Sequence, residues 1–413
     1  MGVDIDTHKV DLLSDGRAPF FEPELEELLA RNVDAGRLTF SENFSAIEGA
    51  QVHFISVGTP QSESGAADMS YVNVAVDSML PHLGRCTAGP EVVAGKSTVP
   101  VGTASRLAQT IERAGALLVW NPEFLREGFA VQDTLRPDRM VYGLPDDPGT
   151  AARAKEVMDA VYERILATGT PRLVMDYATA ELVKISANAF LATKISFINA
   201  MSQVCDAAGA NVTALAEAIG MDERIGSRFL RAGIGFGGGC LPKDLRGLEQ
   251  RAAELGADGL ASFLDRVDAI NRGQRDHVTR MALDALGPDP AGRAVTILGV
   301  TFKPDSDDLR DSPVLEVALR LRDAGAVVTV HDPRGLAGLS RHHPDLRAQP
   351  DALRALEGAE LVILGTEWKE LTDLDPAAAA ARAARPVLID ARNALVPSRW
   401  TAAGWDYRGI GRH

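Results

Sequence analysis

The sequence predicts an α/β protein in which two doubly wound domains are joined by a central helical domain. Between residues 1 and 173, short β-rich runs alternate with helical stretches. The stretch Ala178–Gly209 has no Pro, and no Gly before its last residue, which predicts one long helix. After the linker Gly287–Gly292 the alternation resumes. Because strands alternating with helices form parallel, Rossmann-like sheets, we predict domains at residues 1–173, 174–286 and 293–413.

Three apolar runs are the predicted strands of the first domain: Val52–Val57, Val92–Ala94 and Leu117–Trp120. The helices predicted around them are Glu24–Arg31, Tyr71–Leu83 and Ala104–Ala114. The strands lead into turns that contain Thr59, Thr98 and Asn121. Since ligands bind at the carboxyl ends of strands in doubly wound sheets, these turns are candidate binding segments.

The helical pattern of the second domain continues to about Leu286. A long helix between two domains often carries a subunit interface, so we expect a homodimer. The last domain is a smaller α/β unit. Its predicted strands are Ala294–Val300, Val327–His331, Leu361–Leu364 and Val387–Ile389, with a helix at Val314–Ala324.

Composition excludes several classes of protein. A net charge of −14 argues against a nucleic-acid partner, which needs a surplus of Lys and Arg. No apolar run approaches the roughly 18 residues needed to span a bilayer, and no secretory signal is visible, so we expect a cytoplasmic protein without a membrane partner. Three cysteines do not indicate a disulfide framework, and we expect at least two of them to be buried. No zinc-binding spacing occurs among the eight His, so no metal is predicted.

The first residues carry a candidate cofactor contact. Gly2–Asp6 resembles the end of the second strand of a dinucleotide-binding fold, where an acidic residue accepts hydrogen bonds from the adenosine ribose. Asp4 has that place, which puts the Gly-rich fingerprint about 20 residues earlier, upstream of Met1. The alternative is that Asp4 caps a helix that starts near Thr7.

The strongest local signal is a Gly-rich loop that ends in a cysteine. Five glycines occupy the seven positions before Cys240, and Lys243 and Asp244 follow it. Such a loop lets the backbone approach a ligand closely, and a nearby Lys favours the nucleophilic thiolate. The alternative is a mobile Gly loop with a packing Cys. Gly233–Gly238 also fits the dinucleotide fingerprint, but no strand precedes it, so we reject that match.

Two pairs of residues have the spacing of one helical turn. Glu123 and Glu127 would share a helix face if a helix begins after Pro122, where they could orient water or bind hydroxyls. The alternative is a solvated helix start. Lys184 and Asn188 have the same spacing on the long helix, and they could stabilise an oxyanion. A single Lys is more often exposed.

Three cations of the last domain lie near predicted strand ends. Lys303 and Arg310 follow the first strand, and Arg392 follows the last one. Guanidinium and ammonium groups bind diphosphates well. Each is individually more often a surface charge, but together they indicate a nucleotide site.

With these residues assembled, the chain closely resembles the UDP-glucose/GDP-mannose dehydrogenase family, from Gly2 to Arg412. The motifs that carry the resemblance are Lys96–Thr103, Asn121–Gly128, Arg136–Arg139, Lys184–Asn188, Arg228–Asp244, Phe302–Pro304, Thr366–Glu370, Asp390–Asn393 and Gly409–Arg412. They are most similar to the UDP-glucose branch.

The resemblance implies that a sugar C6 alcohol is oxidised twice, to a carboxylate, with NAD as the cofactor. Cys240 would add to the intermediate aldehyde, and a thioester would then be hydrolysed. Lys184 and Asn188 would stabilise oxyanions, whereas Thr98, Glu123 and Asp244 would position or activate water. The implied NAD contacts are Asp4, Lys9, Thr59, Thr98, Glu127, Lys243 and Arg310. The implied substrate contacts are Glu123, Phe124, Leu125, Arg126, Glu127, Lys184, Asn188, Arg228, Phe229, Leu230, Arg231, Ala232, Gly233, Gly237, Lys303 and Arg392. Arg228 would reach the substrate of the other subunit.

The sequence departs from the family at its start, where members have a strand, a Gly-rich turn and a helix. We expect either a mis-set start or a true truncation, and apolar surface exposed on the strands next to the missing one. The alternative functions are oxidation of another nucleotide sugar, such as GDP-mannose or a UDP-N-acetylhexosamine, and an inactive subunit that only binds UDP-sugar.

Overall fold

A computed structural model of the chain describes residues 1–62 and 65–412. These residues form two compact units. The first consists of Met1–Ala187 and Arg246–Asp258, and the second of Asn188–Leu245 and Gly259–His413.

The first unit contains seven short strands. They are β1 (Gly2–Val3), β2 (Phe40–Ser41), β3 (Val52–Ile55), β4 (Val92–Gly95), β5 (Leu117–Trp120), β6 (Met140–Leu144) and β7 (Arg172–Asp176). Its helices are α1 (Thr7–Ser14), α2 (Leu25–Asp34), α3 (Ser70–Met79), α4 (Thr103–Arg113), α5 (Ala130–Leu135), α6 (Pro148–Val161) and α7 (Glu163–Leu166). Short 3₁₀ helices lie at Phe44–Ile47 and Leu80–His82. Two helices, α8 (Tyr177–Ala208) and α10 (Leu241–Glu254), contain several residues of both units, and Asp258, the first residue of the helix that ends at Leu286, also belongs to the first unit.

The main sheet of this unit has the order β3-β4-β5-β6-β7, with parallel pairs except for the antiparallel pair β5–β6. Strands β1 and β2 form a separate parallel pair. On the edge strand β3, Phe54 is 42% exposed. Alternate residues of β4 and β5 are buried in two clusters, which are packed with α3 and α4 on one face and with α6 on the other. Burial on both faces explains why these strands are continuous apolar runs.

The second unit contains the remaining elements. Its helices are α9 (Val212–Gly220), α11 (Asp258–Leu286), α12 (Pro313–Asp323), α13 (Leu336–His342), α14 (Ala352–Ala355), α15 (Lys369–Thr372), α16 (Pro376–Ala380) and α17 (Pro397–Ala402). Its strands are β8 (Ala294–Leu298), β9 (Val327–His331), β10 (Arg347–Ala348), β11 (Leu361–Leu364), β12 (Val387–Asp390) and β13 (Asp406–Gly409).

These six strands form one fully parallel sheet in the order β10-β9-β8-β11-β12-β13. Helices α11 and α12 bury one face of it, and three tryptophans (Trp368, Trp400 and Trp405) pack against the other. The fold class predicted from the sequence is confirmed: two parallel-sheet regions flank a helical region. No helix within the described part of the chain is long and apolar enough to span a membrane.

Candidate active site

The turns after β3 and β4 are joined at the carboxyl edge of the first sheet. The Thr59 hydroxyl donates to the carbonyl of Thr98 at 2.8 Å, and the Ser97 hydroxyl donates to the carbonyl of Val57 at 2.6 Å. Thr59 is buried, whereas Thr98 is half-buried. The two threonines predicted to contact the cofactor therefore lie side by side.

No helix begins after Pro122 in the segment from Asn121 to Arg126, so the condition for a shared helix face is not met, and the alternative of a solvated helix start is wrong. Glu123 and Glu127 do not share a helix face. Instead, the Glu123 carboxylate accepts a hydrogen bond from the backbone N–H of Leu125 inside the turn. Pro122 tolerates such a turn because it lacks an N–H and fixes φ. Arg126 is bonded to Asp133, and its side chain is 57% exposed.

Lys184 is buried, with 6% of its surface exposed, contrary to the expectation for a single Lys. Its Nζ lies 3.5 Å from Oε1 of Glu123 and 5.6 Å from the centroid of the Phe124 ring. The guanidinium of Arg139 lies 3.8 Å from the same centroid. A buried ammonium with one loose carboxylate partner is a suitable donor for a developing oxyanion. Leu125, also a predicted substrate contact, is exposed.

In the second unit, Cys240 lies directly before α10. The backbone N–H of Asp244 donates to the Cys240 carbonyl at 2.9 Å, so Cys240 is at the N-cap position of that helix. The partial positive charge of a helix N-terminus stabilises a thiolate. Cys240 is exposed, Cys205 is buried and Cys86 is half-buried, so the expectation of two buried cysteines is wrong for Cys86.

Asp244 links two other predicted residues. Its Oδ2 accepts a hydrogen bond from Nδ2 of Asn188 at 2.6 Å, and its Oδ1 pairs with Nζ of Lys243 at 2.8 Å. Asp244 is only 2% exposed, so both interactions compensate a buried charge. The ammonium of Lys243, expected from the sequence to assist the thiol, is bonded to this carboxylate.

The Gly-rich loop is held by the protein itself. Gly235 has φ +99°, and a Cβ there would lie 2.4 Å from Oδ1 of Asn271. Asn271 also makes two hydrogen bonds with the backbone of Phe236, at 2.8 and 3.0 Å. At Gly239, a Cβ would lie 2.6 Å from Cζ of Arg310. The glycines are therefore required for packing against the chain's own side chains.

Arg275, on α11, supports the segment that packs against this loop. It is 4% exposed, and it forms ion pairs with Asp311 at 2.9 Å and with Glu316. Asp311 has φ +47°, and its carbonyl would lie 2.2 Å from a Cβ at Gly237. Arg310 itself bonds both carboxylate oxygens of Asp308, Oδ1 through Nε and Oδ2 through Nη2.

Arg392 connects three segments by hydrogen bonds to carbonyl oxygens. Its Nε donates to Gly365 at 2.7 Å, Nη1 to Gly235 at 3.1 Å and Nη2 to Phe302 at 2.8 Å. Burial lowers the pKa of Arg392, and Glu367 lies 3.5 Å from it. A guanidinium has five N–H donors, and three of them are used in these bonds within residues 1–62 and 65–412. Nζ of Lys303 lies 5.4 Å from the centroid of the Phe302 ring.

The predicted substrate segment before the Gly-rich loop is partly exposed. Arg228 and Arg231 are exposed, whereas Leu230, Ala232 and Gly233 are buried. The N–H of Gly233 donates to Oδ1 of Asn199 at 2.8 Å. Phe229 has φ +64° and is 40% exposed, an uncommon backbone conformation for a bulky residue.

Asp4 lies directly after β1. Its carboxylate accepts hydrogen bonds from Nζ of Lys9 at 2.7 Å and from the N–H of Asp6 at 3.1 Å. Burial would raise the pKa of Asp4, but these bonds hold it below its usual value. The alternative that Asp4 caps α1 is wrong, because Asp6 is the N-cap and accepts from the N–H of Lys9.

Comparison with known proteins matches these features to one family. Sequence models of the UDP-glucose/GDP-mannose dehydrogenase family match residues 1–166 (NAD binding domain), 178–273 (central domain) and 296–397 (UDP binding domain). The UDP-glucose 6-dehydrogenase of Rhizobium meliloti is 40% identical over 99% of this chain and 93% of that protein. The chain belongs to the UDP-glucose/GDP-mannose dehydrogenase family.

Solved structures of family members agree with this result. A UDP-glucose dehydrogenase from Pyrobaculum islandicum superimposes with a TM-score of 0.88 at 34% identity, over 100% of this chain and 92% of that one. An NDP-N-acetyl-D-galactosaminuronic acid dehydrogenase from Methanosarcina mazei gives 0.77 at 25% identity, over 100% and 89%. The chain is therefore an NAD-dependent oxidoreductase.

The residues present fit one part of NAD. Asp4 offers a carboxylate acceptor at a strand end, as the adenosine ribose requires, and its pair with Lys9 keeps that carboxylate ionised. Thr59 and Thr98 lie at the carboxyl edge of the parallel sheet, where nucleotides bind in such folds.

The sequence predicted most of these polar residues but not the ones that hold them. It assigns no role to Asn271 and Arg275, which hold the Gly-rich loop and its neighbour. Lys96 and Asn121 appear in the sequence analysis only as members of a motif or turn, and Tyr162 does not appear, although the three are bonded to one another. Lys96 and Asn121 lie in family motifs after predicted strands, and that position was the available signal. No such signal marks Tyr162.

Proposed function

We propose that this chain oxidises UDP-glucose to UDP-glucuronate in two steps, with Cys240 as the nucleophile. The observation that carries the proposal is the exposed thiol at the start of α10, in a family member whose 40% identical relative is named a UDP-glucose 6-dehydrogenase. The family also includes enzymes named for other nucleotide sugars, so the choice of sugar belongs to the proposal.

The chemistry assigned to the chain's own residues is as follows. The Cys240 sulfur adds to C6 of the aldehyde, which forms a carbon–sulfur bond and an alkoxide, and Lys184 and Asn188 stabilise that negative charge by hydrogen bonding. After the second oxidation, C6 is a thioester. Water then attacks C6, the carbon–sulfur bond breaks, and the sulfur leaves as a thiolate. Asp244 and Glu123 position that water or accept its proton.

Bound NAD would supply the hydride acceptor for each of the two oxidations at C6. We assign Asp4, Lys9, Thr59, Thr98, Glu127, Lys243 and Arg310 to its binding. The substrate diphosphate is assigned to Lys303 and Arg392, and the remaining predicted contacts are the segments 123–127 and 228–233 together with Gly237. Among the described residues, three of the five N–H donors of Arg392 bond carbonyl oxygens, and the donors beyond these three support its part in this assignment.

We also propose that the chain forms a homodimer through α8. Phe190, Phe197 and Val204 are 66%, 52% and 56% exposed, and they recur every seven residues on one side of the helix. An apolar stripe with this period is typical of helix pairing between subunits. Phe197→Glu should then yield monomers in sedimentation or light-scattering measurements; an unchanged mass would contradict this interface.

Location in the cytoplasm stays a prediction from composition.

The test of the nucleophile compares Cys240→Ser with Cys86→Ser, a change at the other cysteine that is not fully buried. NADH is followed by absorbance, and UDP-glucuronate is quantified by chromatography. The wild type and Cys86→Ser should form two NADH per UDP-glucuronate. Cys240→Ser should form no UDP-glucuronate above background, and near-normal formation by that variant would refute the thioester route.

The choice of sugar is tested by comparing kcat/KM for UDP-glucose, GDP-mannose and a UDP-N-acetylhexosamine. We expect UDP-glucose to give the highest value. A higher kcat/KM for another nucleotide sugar would contradict UDP-glucose as the substrate. It would not contradict the proposed role of Cys240.

A further inference from the structure

Three polar side chains of the first unit meet behind the turn that carries Glu123. Lys96 is the first residue after β4, and its Nζ lies 3.2 Å from Oδ1 of Asn121 and 3.2 Å from the hydroxyl of Tyr162. That hydroxyl donates to the same Oδ1 at 2.7 Å. The Lys96 ammonium also lies 5.6 Å from the ring centroid of Phe54 and 5.8 Å from that of Tyr162. Its surroundings are thus two aromatic rings and one amide.

Asn121 has no exposed surface, and both ends of its amide are bonded. Its Nδ2 donates to the carbonyl of Val141 at 2.9 Å, and its backbone N–H donates to the carbonyl of Gly95 at 2.8 Å. Asn121 is followed by Pro122, which restricts the conformation of the residue before it. The orientation of Asn121 therefore fixes the direction in which the chain leaves β5 and enters Glu123.

Electrostatics links the same ammonium to that carboxylate. Burial lowers the pKa of Lys96 to about 8, and the charge of Glu123 opposes this shift. Tyr162 is neutral near this pH, since burial raises its pKa to about 12. The facing residue of β3 is Phe54, which has no charge. Glu123 is thus the charged group that acts on Lys96, and it also pairs with Lys184.

We propose that Lys96, Asn121 and Tyr162 are positioning residues that set the carboxylate of Glu123 for the oxidation, and that Lys96 acts in its cationic form. The proposal rests on the function proposed above. The ammonium orients the amide of Asn121 and attracts the Glu123 carboxylate, which in turn pairs with Lys184. Loss of its charge should disturb that pairing without removing a group that contacts the substrate.

The kinetic test compares Lys96→Gln, Lys96→Met and Tyr162→Phe with the control Lys155→Met. Lys155 lies on α6 in the same unit and pairs with Asp159. At pH 7 both Lys96 variants should lose about ten- to a hundredfold in kcat, as for a slightly misplaced catalytic group, with KM for UDP-glucose nearly unchanged. Tyr162→Phe should lose less, because Lys96 still bonds Asn121, and the control should match the wild type.

The pH profile separates positioning from a structural role. Below pH 8 the wild-type lysine is charged, so the deficit of Lys96→Gln should be largest there. As pH rises above 8 the wild type loses the same charge, so the ratio of variant to wild-type kcat should approach one. A deficit independent of pH, or one that appears in KM alone, would overturn the proposal.

A measurement without turnover distinguishes this proposal from the proposed function. The rate of acetylation of Lys96 with acetic anhydride, measured against pH by peptide mass spectrometry, reports the pKa of its amine. Glu123→Gln should shift that titration to lower pH, whereas Glu156→Gln, a change on the same helix as Lys155, should not. An unshifted titration refutes the coupling even in an active enzyme. A shifted titration in a protein that oxidises no nucleotide sugar would support the coupling of Lys96 to Glu123 and refute the proposed function.

Discussion

Replacement of Arg275 by Met should destabilise the second unit, because Arg275 is a buried cation that pairs with two carboxylates. The guanidinium is 4% exposed and bonds the carboxylates of Asp311 and Glu316. Met retains much of the apolar stem but removes the charge, so the carboxylates of Asp311 and Glu316 each lose one cationic partner, while Glu316 still pairs with Arg320. Breaking a buried pair costs about 3–5 kcal/mol. Because Asp311 and Glu316 are 28% and 35% exposed, water can solvate them in part, and we expect about 3 kcal/mol, the lower end.

Arg320→Met is the matched control. Arg320 bonds the other oxygen of Glu316 at 2.6 Å, but its side chain is 39% exposed. Exposed ion pairs contribute about 0–1 kcal/mol, so the control should differ little from the wild type.

The assay is urea and thermal unfolding followed by tryptophan fluorescence. Three of the four tryptophans, Trp368, Trp400 and Trp405, lie in the second unit, so the signal reports mainly that unit. A loss of 3 kcal/mol lowers the Tm of a unit of this size by about 6–12 °C. Equal unfolding midpoints for Arg275→Met and Arg320→Met would refute the reasoning, because burial would then make no difference to the ion pair.

Three further predictions concern buried polar groups and the Gly-rich loop. Burial raises the pKa of Glu181 to about 6, although two N–H groups at the start of α4 donate to its carboxylate. Between pH 4.5 and 6 the Glu181 carboxyl group therefore binds its proton more tightly in the folded state than in the unfolded chain. The Tm of the wild type relative to Glu181→Gln should therefore fall as pH rises through this window, and a constant difference would contradict the shift. Gly235→Ala should lower the free energy of unfolding by about 2 kcal/mol, because the φ of +99° is strained for Ala and its Cβ would collide with Asn271; unchanged urea midpoints would contradict it. Asn188→Ala should lower the free energy of unfolding by about 1–3 kcal/mol, since the buried Asp244 loses a hydrogen-bond donor, and it should lower kcat. Urea unfolding measures the first effect and NADH formation the second. A fully stable variant would show that water replaces the amide.

The regular elements of the fold could be read from the sequence where burial is two-sided. Strands Val327–His331 and Leu361–Leu364 match their predicted bounds, because a buried strand in a parallel sheet is a continuous apolar run with clear ends. The long helix α8 was predicted within one residue at each end. Strand β13 was not predicted, because its sequence, DYRG, is half polar and lies at the sheet edge.

The polar residues of the candidate site could be predicted from the sequence, but the residues that hold the Gly-rich loop and its neighbouring segment could not. Cys240, Lys184 and Asp244 stand in motifs whose chemistry is local. Asn271 and Arg275 act on segments more than 30 residues away in the chain, so no spacing rule reveals them. Both interpretations of Glu123 assumed a helix start, because a proline followed by acidic residues is the usual start of a helix.

The way in which the Gly-rich loop is held has a consequence for redesigning its nucleophile. Asn271 bonds the backbone of Phe236, and the guanidinium of Arg310 lies against the backbone of Gly239. These contacts are made with backbone atoms of the loop. We therefore expect the loop to keep its conformation when Cys240 is replaced by selenocysteine or a homologated thiol, so that nucleophiles of different softness can be compared at one position.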